Sequence, residues 1–357
     1  MAAWEGGPLG SGVPRNAFAM RPDALRGGSS RLDPMIVPNV VLAGVRKCGT
    51  TSVYDWLSVH PSVATSPAKG TEFLMDRDSP YFNPESNYHH HGLGGYSRYF
   101  RAHPDKQVRL DATTRYFDQE TARRVLASLD PQPHVVFVLR EPADRLFSLF
   151  RYEKNNRRRI APQARFSDFV HDLFENRADA LLAGGRRREL EREQHREWSE
   201  LVGEFAHSRY VEYLLRWKAL FRPERLHVYL FENLQHDAPG FMEALARDIG
   251  IDPAFYCERQ LVGRNPSVDV RSPAIHRVVR GLAPVVPRNR MTRALYGHYL
   301  RLQDSGPVRH TAEERDALTE LRRHYRPYNG RLAHAFGLDL TPWHHATGAR
   351  GDPPISR

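Results

Sequence analysis

A glycine-bounded turn that holds a lysine and two threonines is the segment best suited to chemistry. The apolar run Val40–Ala43 predicts a buried strand, the segment Gly44–Thr51 predicts a turn, and a helical pattern begins at Ser52. A strand that leads through such a turn to a helix N-terminus gathers backbone N–H groups around one point, where a phosphate can bind. We therefore expect an anion-binding loop for a nucleotide-like ligand, with a chance glycine-rich turn as the alternative.

The position of the lysine distinguishes this loop from that of an ATP-binding enzyme. In a Walker A motif the lysine directly follows the second glycine, and a serine or threonine follows the lysine. Here Gly49 is followed by Thr50 and Thr51, whereas Lys47 precedes Gly49. A second motif is therefore needed to identify the ligand.

A second group of polar side chains follows a later predicted strand, His134–Leu139. Arg140 comes directly after this strand, and Pro142 suits the first turn of a helix, where no N–H is needed. Ser148 lies further along the same helix. The planar guanidinium of Arg140 and the hydroxyl of Ser148 are suitable donors to a second phosphate. The alternative is a surface arginine and a serine that only packs its helix.

Together the two motifs resemble those of the sulfotransferase superfamily, whose sulfuryl donor is 3′-phosphoadenosine 5′-phosphosulfate (PAPS). The family's 5′-phosphosulfate loop typically reads Arg/Pro-Lys-x-Gly-Thr-(Thr/Arg)-Ser, which residues 46–52 match. Its 3′-phosphate motif typically reads Leu-Arg-(Asp/Glu)-Pro-x-x-Arg-x-x-Ser, which residues 139–148 match. The resemblance is closest to the heparan sulfate sulfotransferases and their bacterial relatives.

This resemblance implies a set of donor-binding residues and a reaction that requires no metal. Lys47 would stabilise the charge that develops on the bridging oxygen as the nucleotide leaves. Residues 263–265 resemble a Gly-Arg loop that closes over the nucleotide in the heparan sulfate branch. The implied donor-binding residues are Arg46, Lys47, Cys48, Gly49, Thr50, Thr51, Ser52, Arg140, Ser148, Gly263, Arg264 and Asn265.

The acceptor hydroxyl needs a base, and here the sequence departs from its relatives. In the heparan sulfate branch the base is a glutamate, whose position aligns with Gly70, while the acid of this chain lies at Glu72. Residues two apart in an extended segment face the same side, so Glu72 remains a candidate. Asp111, which aligns with an acidic residue in relatives, is the competing candidate, and either carboxylate could instead be structural. Ala112, where heparan sulfate enzymes carry a lysine, argues against a polysaccharide acceptor.

Composition limits the other function classes. Lys and Arg number 52 against 42 Asp and Glu, a formal net charge of +10 that favours anionic ligands. The arginine runs at 157–159 and 186–188 are interleaved with acids like a solvated helix face, so we expect no nucleic-acid partner. Cys48 and Cys257 are the two cysteines, which excludes a disulfide framework and a cysteine-based metal site. Cys48 is interpreted as a spacer, and the histidines at 89–91 as part of a loop or cap.

The segments that must position these residues alternate between strands and helices. This order predicts an α/β fold with a single P-loop-type, doubly wound, mostly parallel sheet flanked by helices, and a ligand at the carboxyl ends of the strands. The further elements predicted are a strand over Leu226–Phe231 and helices over Tyr210–Phe221, Gly240–Gly250 and Thr311–Tyr325.

The expected domain organisation is a flexible tail (1–35), a sulfotransferase domain (36–345) and a C-terminal tail (346–357). No apolar run is long enough for a membrane helix, and the N-terminus lacks a signal-peptide pattern, so we expect a cytoplasmic enzyme. The resemblance implies sulfation of a hydroxyl on a carbohydrate or a hydroxylated natural product. A P-loop nucleotide kinase or other phosphotransferase and a non-catalytic nucleotide-binding module are the alternatives.

Overall fold

Five parallel strands form the centre of the fold in the computed structural model, which describes residues 36–157, 159–175, 199–257, 259, 261 and 310–345. Their spatial order is β2-β3-β1-β4-β5, and all four pairings are parallel. This confirms the predicted α/β class with a mostly parallel sheet. The strands are β1 (Val40–Gly44), β2 (Val63–Thr65), β3 (Val108–Asp111), β4 (His134–Leu139) and β5 (Leu226–Leu230).

Helices connect these strands and cover the sheet. Every residue of β1 is buried, and so is every residue of β4 after His134, as expected for a sheet with helices on both faces. The described helices are α1 (Thr50–Ser58), α2 (Tyr88–Ser97), α3 (Glu120–Ala127), α4 (Pro142–Arg151), α5 (Phe166–Glu175), α6 (Ser199–His207), α7 (Tyr210–Lys218), α8 (Phe231–His236), α9 (Ala238–Asp248), α10 (Ala254–Cys257), α11 (Ala312–Phe336) and α12 (Thr341–His345).

The last long helix differs most from its prediction. Thr311 caps α11 in a capping box with Glu314, as the acidic first turn indicates, but the helix continues past Tyr325 and through Pro327. A proline removes one helical hydrogen bond, so the sequence favoured an earlier end. Burial of Leu332 on the far side of the proline offsets this loss and keeps the helix continuous.

Two hydrophobic cores hold the helices in place. The larger surrounds the sheet, and the smaller fills the space between α4, α5, α6 and α11. The smaller core includes Phe150 and Phe166, whose ring centroids are 5.4 Å apart. Helix α4 is therefore fixed on the face away from the sheet. Within the described ranges no helix is long and apolar enough to cross a membrane.

Candidate active site

The two sequence motifs meet at the switch point of the sheet. The chain runs from β1 to β2 and β3 on one side of β1 and then crosses to β4 on the other side. Ligands bind at the carboxyl ends of the strands around such a switch point. Val41 pairs with Val135 and Leu42 with Val136, which aligns the ends of β1 and β4. The loop that follows β1 and the loop that follows β4 therefore border the same crevice.

The loop after β1 depends on a glycine directly before α1. Gly49 adopts a left-handed backbone conformation with φ 76°, which side chains other than hydrogen disfavour. A Cβ at this position would lie 2.7 Å from Cδ2 of Phe231, so the space is also closed. Helix α1 then begins at Thr50, and the N–H groups of Ser52 and Val53 donate back to the Gly49 carbonyl at 2.9 and 3.3 Å, which sets the helix N-terminus at this turn. This arrangement is suited to an anion.

Several cations surround this helix terminus. The ammonium of Lys47 lies 4.2 Å from the ring centroid of Tyr152. Burial and, after it, repulsion from Arg140 and Arg46 together lower the pKa of Lys47 to about 8, against the attraction of Glu153. Mutual repulsion of this kind requires that the two motifs bring their cations close together. An anionic ligand would relieve it.

The second motif sits on the first turns of α4. Glu141 caps this helix by accepting a hydrogen bond from the Asp144 backbone N–H at 2.8 Å. The half-buried guanidinium of Arg140 lies 5.0 Å from the ring centroid of Phe231, and the Arg140 carbonyl accepts a hydrogen bond from the Tyr210 hydroxyl at 2.8 Å. Ser148 is 5% exposed. Phe231 thus contacts the Arg140 side chain and closes the space beside Gly49.

Lys69 is a cation of this site that lies outside both sequence motifs. Its ammonium donates a hydrogen bond of 2.8 Å to the Thr51 hydroxyl, in the first turn of α1. Burial lowers the pKa of Lys69 to about 8, against the attraction of Asp55. The signal in the sequence was a lysine shortly after β2, but only the fold shows that β2 delivers it to the loop after β1.

Comparison of the chain with known proteins agrees with this geometry. A family model described as a sulfotransferase domain matches residues 37–261. The chain belongs to the sulfotransferase family. The bifunctional heparan sulfate N-deacetylase/N-sulfotransferase 3 of Homo sapiens is 23% identical over 221 residues, which cover 61% of this chain and 23% of that protein. The bifunctional heparan sulfate N-deacetylase/N-sulfotransferase of Drosophila melanogaster is 23% identical over 256 residues, or 64% of this chain and 22% of that protein.

The aligned part of the chain thus spans less than a quarter of either relative's length. Among solved structures, a sulfotransferase from Alicyclobacillus acidocaldarius has a TM-score of 0.56 and 18% sequence identity. The match covers 86% of this chain and 98% of that chain. At this identity the likeness concerns the fold.

The two carboxylates considered as the base of this sulfotransferase lie in different surroundings. At Gly70 a Cβ would come within 3.0 Å of the Thr113 hydroxyl and 3.1 Å of its Cα, so a side chain at the position that aligns with the relatives' glutamate would require Thr113 to move by a few tenths of an ångström. Glu72 has a positive φ of 51°, and its carboxylate accepts a hydrogen bond of 2.8 Å from Arg115. Its side chain is 30% exposed.

Asp111 is fully buried and surrounded by hydroxyl donors. Its oxygens accept hydrogen bonds from Tyr96, Thr71 and Thr113, each at 2.7 Å, and a longer one from Tyr116 at 3.3 Å. Burial and the charge of Asp111 raise the pKa of Tyr96 and of Tyr116 well above the ordinary value, which keeps both phenols protonated as donors. The carboxylate therefore fastens the segment that carries Lys69 and Glu72 to the end of β3.

Arg46 is engaged by protein carboxylates. Its guanidinium donates to Glu204 at 2.9 Å and lies 3.5 Å from Glu153. The other oxygen of Glu204 accepts from the fully buried Arg145 at 2.7 Å, and Arg145 also bonds the Ser208 hydroxyl. Attraction to Arg145 and Arg46 outweighs burial and holds the pKa of Glu204 well below its usual range. This network ties the loop after β1 to α6.

The other residues that the sequence singled out either have structural roles or lie outside the described part of the chain. Cys48 is fully buried, and burial raises its pKa to about 12, which agrees with a spacer and not a nucleophile. The histidines at 89–91 bond loop carbonyls and side chains around the cap of α2. Across the described residues no three His, Cys, Asp or Glu side chains converge as a metal site. Gly263, Arg264 and Asn265 lie outside the described residues.

Proposed function

We propose that this enzyme transfers a sulfuryl group from PAPS to the hydroxyl of a small molecule or glycan. The observation that carries the proposal is that the loop after β1 and Arg140 both lie against Phe231, so that the charge of Arg140 contributes to the lowered pKa of Lys47. A ligand with phosphates at two ends would satisfy both cations. Sulfuryl transfer depends mainly on positioning and charge stabilisation, which such a site supplies.

Each residue of the loop after β1 has a defined task in this proposal. Backbone N–H groups from Lys47 to Thr51 hold the 5′-phosphate, and the hydroxyls of Thr50 and Thr51 assist, while the Ser52 N–H stays on the Gly49 carbonyl. Lys47 neutralises the charge that appears on the bridging oxygen when the bond from sulfur to that oxygen breaks. Lys69, fixed by its hydrogen bond to Thr51, supplies a second positive charge beside the sulfuryl group.

The 3′-phosphate is assigned to Arg140, which precedes α4, and to Ser148, about two turns into this helix. Arg140 is held by its contact with Phe231, so the guanidinium is placed before the donor binds. Arg46 contributes through its positive charge near Lys47, while its hydrogen bonds go to carboxylates of the protein.

We assign the base to Glu72. Its carboxylate is partly exposed and has one oxygen, Oε2, outside the bond with Arg115. Asp111 is buried, and hydroxyl donors occupy both of its oxygens, so a substrate hydroxyl has no access to it. In the transfer step the acceptor oxygen bonds to sulfur, Glu72 takes the hydroxyl proton, and the nucleotide leaves as 3′-phosphoadenosine 5′-phosphate.

No finding favours the phosphotransferase or the non-catalytic module, and the family assignment speaks for sulfuryl transfer. The acceptor atom is a separate question, because the two relatives described above are N-sulfotransferases by name. A hydroxyl is the acceptor that the sequence motifs imply; a carboxylate base such as Glu72 can take a proton from either an alcohol or an amine, so the acceptor panel below decides between them.

The donor assignment is tested by calorimetric titration with 3′-phosphoadenosine 5′-phosphate, beside ADP and ATP with magnesium. We expect metal-independent binding that requires the 3′-phosphate. Arg140→Ala should weaken this binding by about 1.5–3 kcal/mol, or roughly 10- to 150-fold, through loss of a charged hydrogen-bonded contact. Arg124→Ala, at a side chain that is 75% exposed on α3, is the matched control. Preference for ATP with magnesium would refute the donor assignment.

The transfer step is tested with PAPS and a panel of paired alcohols and amines. Wild type should sulfate alcohols, and Glu72→Gln should lower kcat by about 100-fold or more while 3′-phosphoadenosine 5′-phosphate binds as before. Sulfation of the amine in each pair would contradict the assignment of a hydroxyl acceptor. Full activity of Glu72→Gln would contradict the assignment of the base.

A further inference from the structure

Glu72 belongs to a three-residue arrangement on the acceptor side of the site. Arg115 donates from Nη1 to Glu72 Oε1 at 2.8 Å, and its guanidinium lies 3.5 Å from the ring centroid of Tyr81. Both charged side chains reach solvent, with 30% of Glu72 and 19% of Arg115 exposed. The backbone N–H of Glu72 donates to the Thr113 hydroxyl at 3.2 Å, which fixes the residue in its left-handed conformation.

Arg115 has more donors than the protein uses. A guanidinium offers five N–H groups in a planar fork. The described residues give Arg115 one hydrogen-bonding partner, Glu72, and its Nε is buried with no hydrogen-bond partner. Because Nε is enclosed by protein, the donors that remain for a ligand oxygen are those on the Nη nitrogens that Glu72 does not use. Stacking on Tyr81 holds the fork in one plane.

We propose that Arg115 determines acceptor specificity by binding an anionic group, a carboxylate or a sulfate ester, beside the hydroxyl that Glu72 deprotonates. The inference rests on the proposed function and deepens it, since it names the acceptor class of the same site. One guanidinium then orients the base through Glu72 Oε1 and binds the acceptor through its remaining donors. Oxyanions of these two kinds match the planar fork.

A purely structural role for Arg115 makes a different prediction. If Arg115 only orients Glu72, its loss lowers kcat equally for anionic and neutral acceptors. If Arg115 also binds the acceptor, its loss removes the preference of the enzyme for anionic over neutral acceptors. The preference ratio is therefore the quantity that separates the two roles.

The experiment compares three compounds that differ at one carbon: p-nitrophenyl β-D-glucoside, the corresponding glucuronide and the glucoside 6-sulfate. Calorimetry measures their affinity for the complex with 3′-phosphoadenosine 5′-phosphate, in wild type, Arg115→Gln, Arg115→Lys and the control Arg124→Gln. We expect wild type to bind at least one anionic compound about 10- to 100-fold more tightly than the glucoside. Arg115→Gln should abolish that difference, and Arg115→Lys should retain part of it through its charge.

The two anionic compounds distinguish a carboxylate acceptor from a sulfated one. Equal affinities in wild type, no binding of either anion, or a preference that survives in Arg115→Gln would overturn the proposal. Every variant must still bind 3′-phosphoadenosine 5′-phosphate with wild-type affinity, which also shows that it is folded. If wild type itself does not bind this nucleotide, the proposed function fails first and the acceptor class fails with it.

Discussion

Donor binding should be accompanied by proton uptake at Lys47. In the free enzyme burial and two neighbouring arginines lower its pKa to about 8. A bound phosphate adds a negative charge that favours the ammonium and opposes the effects of burial and of the two arginines, so in the complex the pKa should rise to near its ordinary value of about 10.4. At any pH at which Lys47 is deprotonated in the free enzyme and protonated in the complex, nucleotide binding therefore takes up a proton.

The magnitude follows from these two values. Lys47 alone should take up about 0.1 proton per nucleotide at pH 7 and about 0.9 at pH 9. Between pH 7 and pH 9.5 this linkage weakens nucleotide affinity by about 30-fold, or about 2 kcal/mol. Affinity therefore falls as the pH rises through about 8. Lys69 has a similarly lowered pKa and contributes separately, so the predicted quantity is the difference between wild type and Lys47→Gln.

Calorimetry in buffers of different ionisation enthalpy measures the protons taken up. Titrations with 3′-phosphoadenosine 5′-phosphate above pH 8 avoid protonation changes on the phosphates themselves. Wild type should exceed Lys47→Gln by about 0.9 proton at pH 9. Lys106→Gln, at an exposed lysine before β3, should match wild type. Equal uptake by wild type and Lys47→Gln, or net proton release, would refute the reasoning.

Three further predictions concern the scaffold of the site. Gly49→Ala should lower nucleotide affinity at least tenfold in calorimetry, because φ is 76° and the added Cβ would lie 2.7 Å from Phe231; unchanged affinity would contradict the left-handed loop. Asp111→Asn should lower the free energy of unfolding in urea by about 2–4 kcal/mol, since an amide cannot accept every hydroxyl bond, whereas Asp105→Asn on the surface should have little effect. His134, whose pKa burial lowers to about 4, stays neutral in the fold while the unfolded chain gains a proton, so stability should fall as pH drops from about 6.5 towards 4. In urea unfolding, the free energy of unfolding of His134→Gln should depend less steeply on pH over this range. A variant whose pH dependence equals that of wild type would show that His134 is not its source.

The sequence predicted the elements that depend on local pattern. β4 has the predicted bounds His134–Leu139, because a fully apolar run between polar ends leaves little choice. The helix predicted over Tyr210–Phe221 ends at Lys218, and buried Phe221 packs from the turn beyond it. The helix predicted over Gly240–Gly250 starts earlier, at Ala238, behind an Asp237 cap. These differences lie at the ends of helices, whose positions depend on the capping residues.

The parts that could not be predicted are contacts between distant segments. Lys69 and Thr51 are 18 residues apart, and Glu72 and Arg115 are 43 apart, so their pairing depends on how β2 and β3 stack beside β1. Residue type alone gave Asp111 two roles. The four hydroxyls that surround it favour the structural role, and these come from three separate stretches of chain.

The buried network around Glu204 has a consequence for biosynthesis. Arg46 and its partner Glu204 are separated by 158 residues, and Arg145 depends on the same carboxylate. A nascent chain that has emerged only as far as α5 carries every residue of both phosphate motifs. Burying Arg145 without its partner carboxylate would cost such a chain about 3–5 kcal/mol.

The loop after β1 and the start of α4 should therefore reach their final positions only after α6 has left the ribosome. A fragment that ends at Glu175 would contain both motifs and still fail to hold a nucleotide. The proposed donor site should then be translated early and become ordered late.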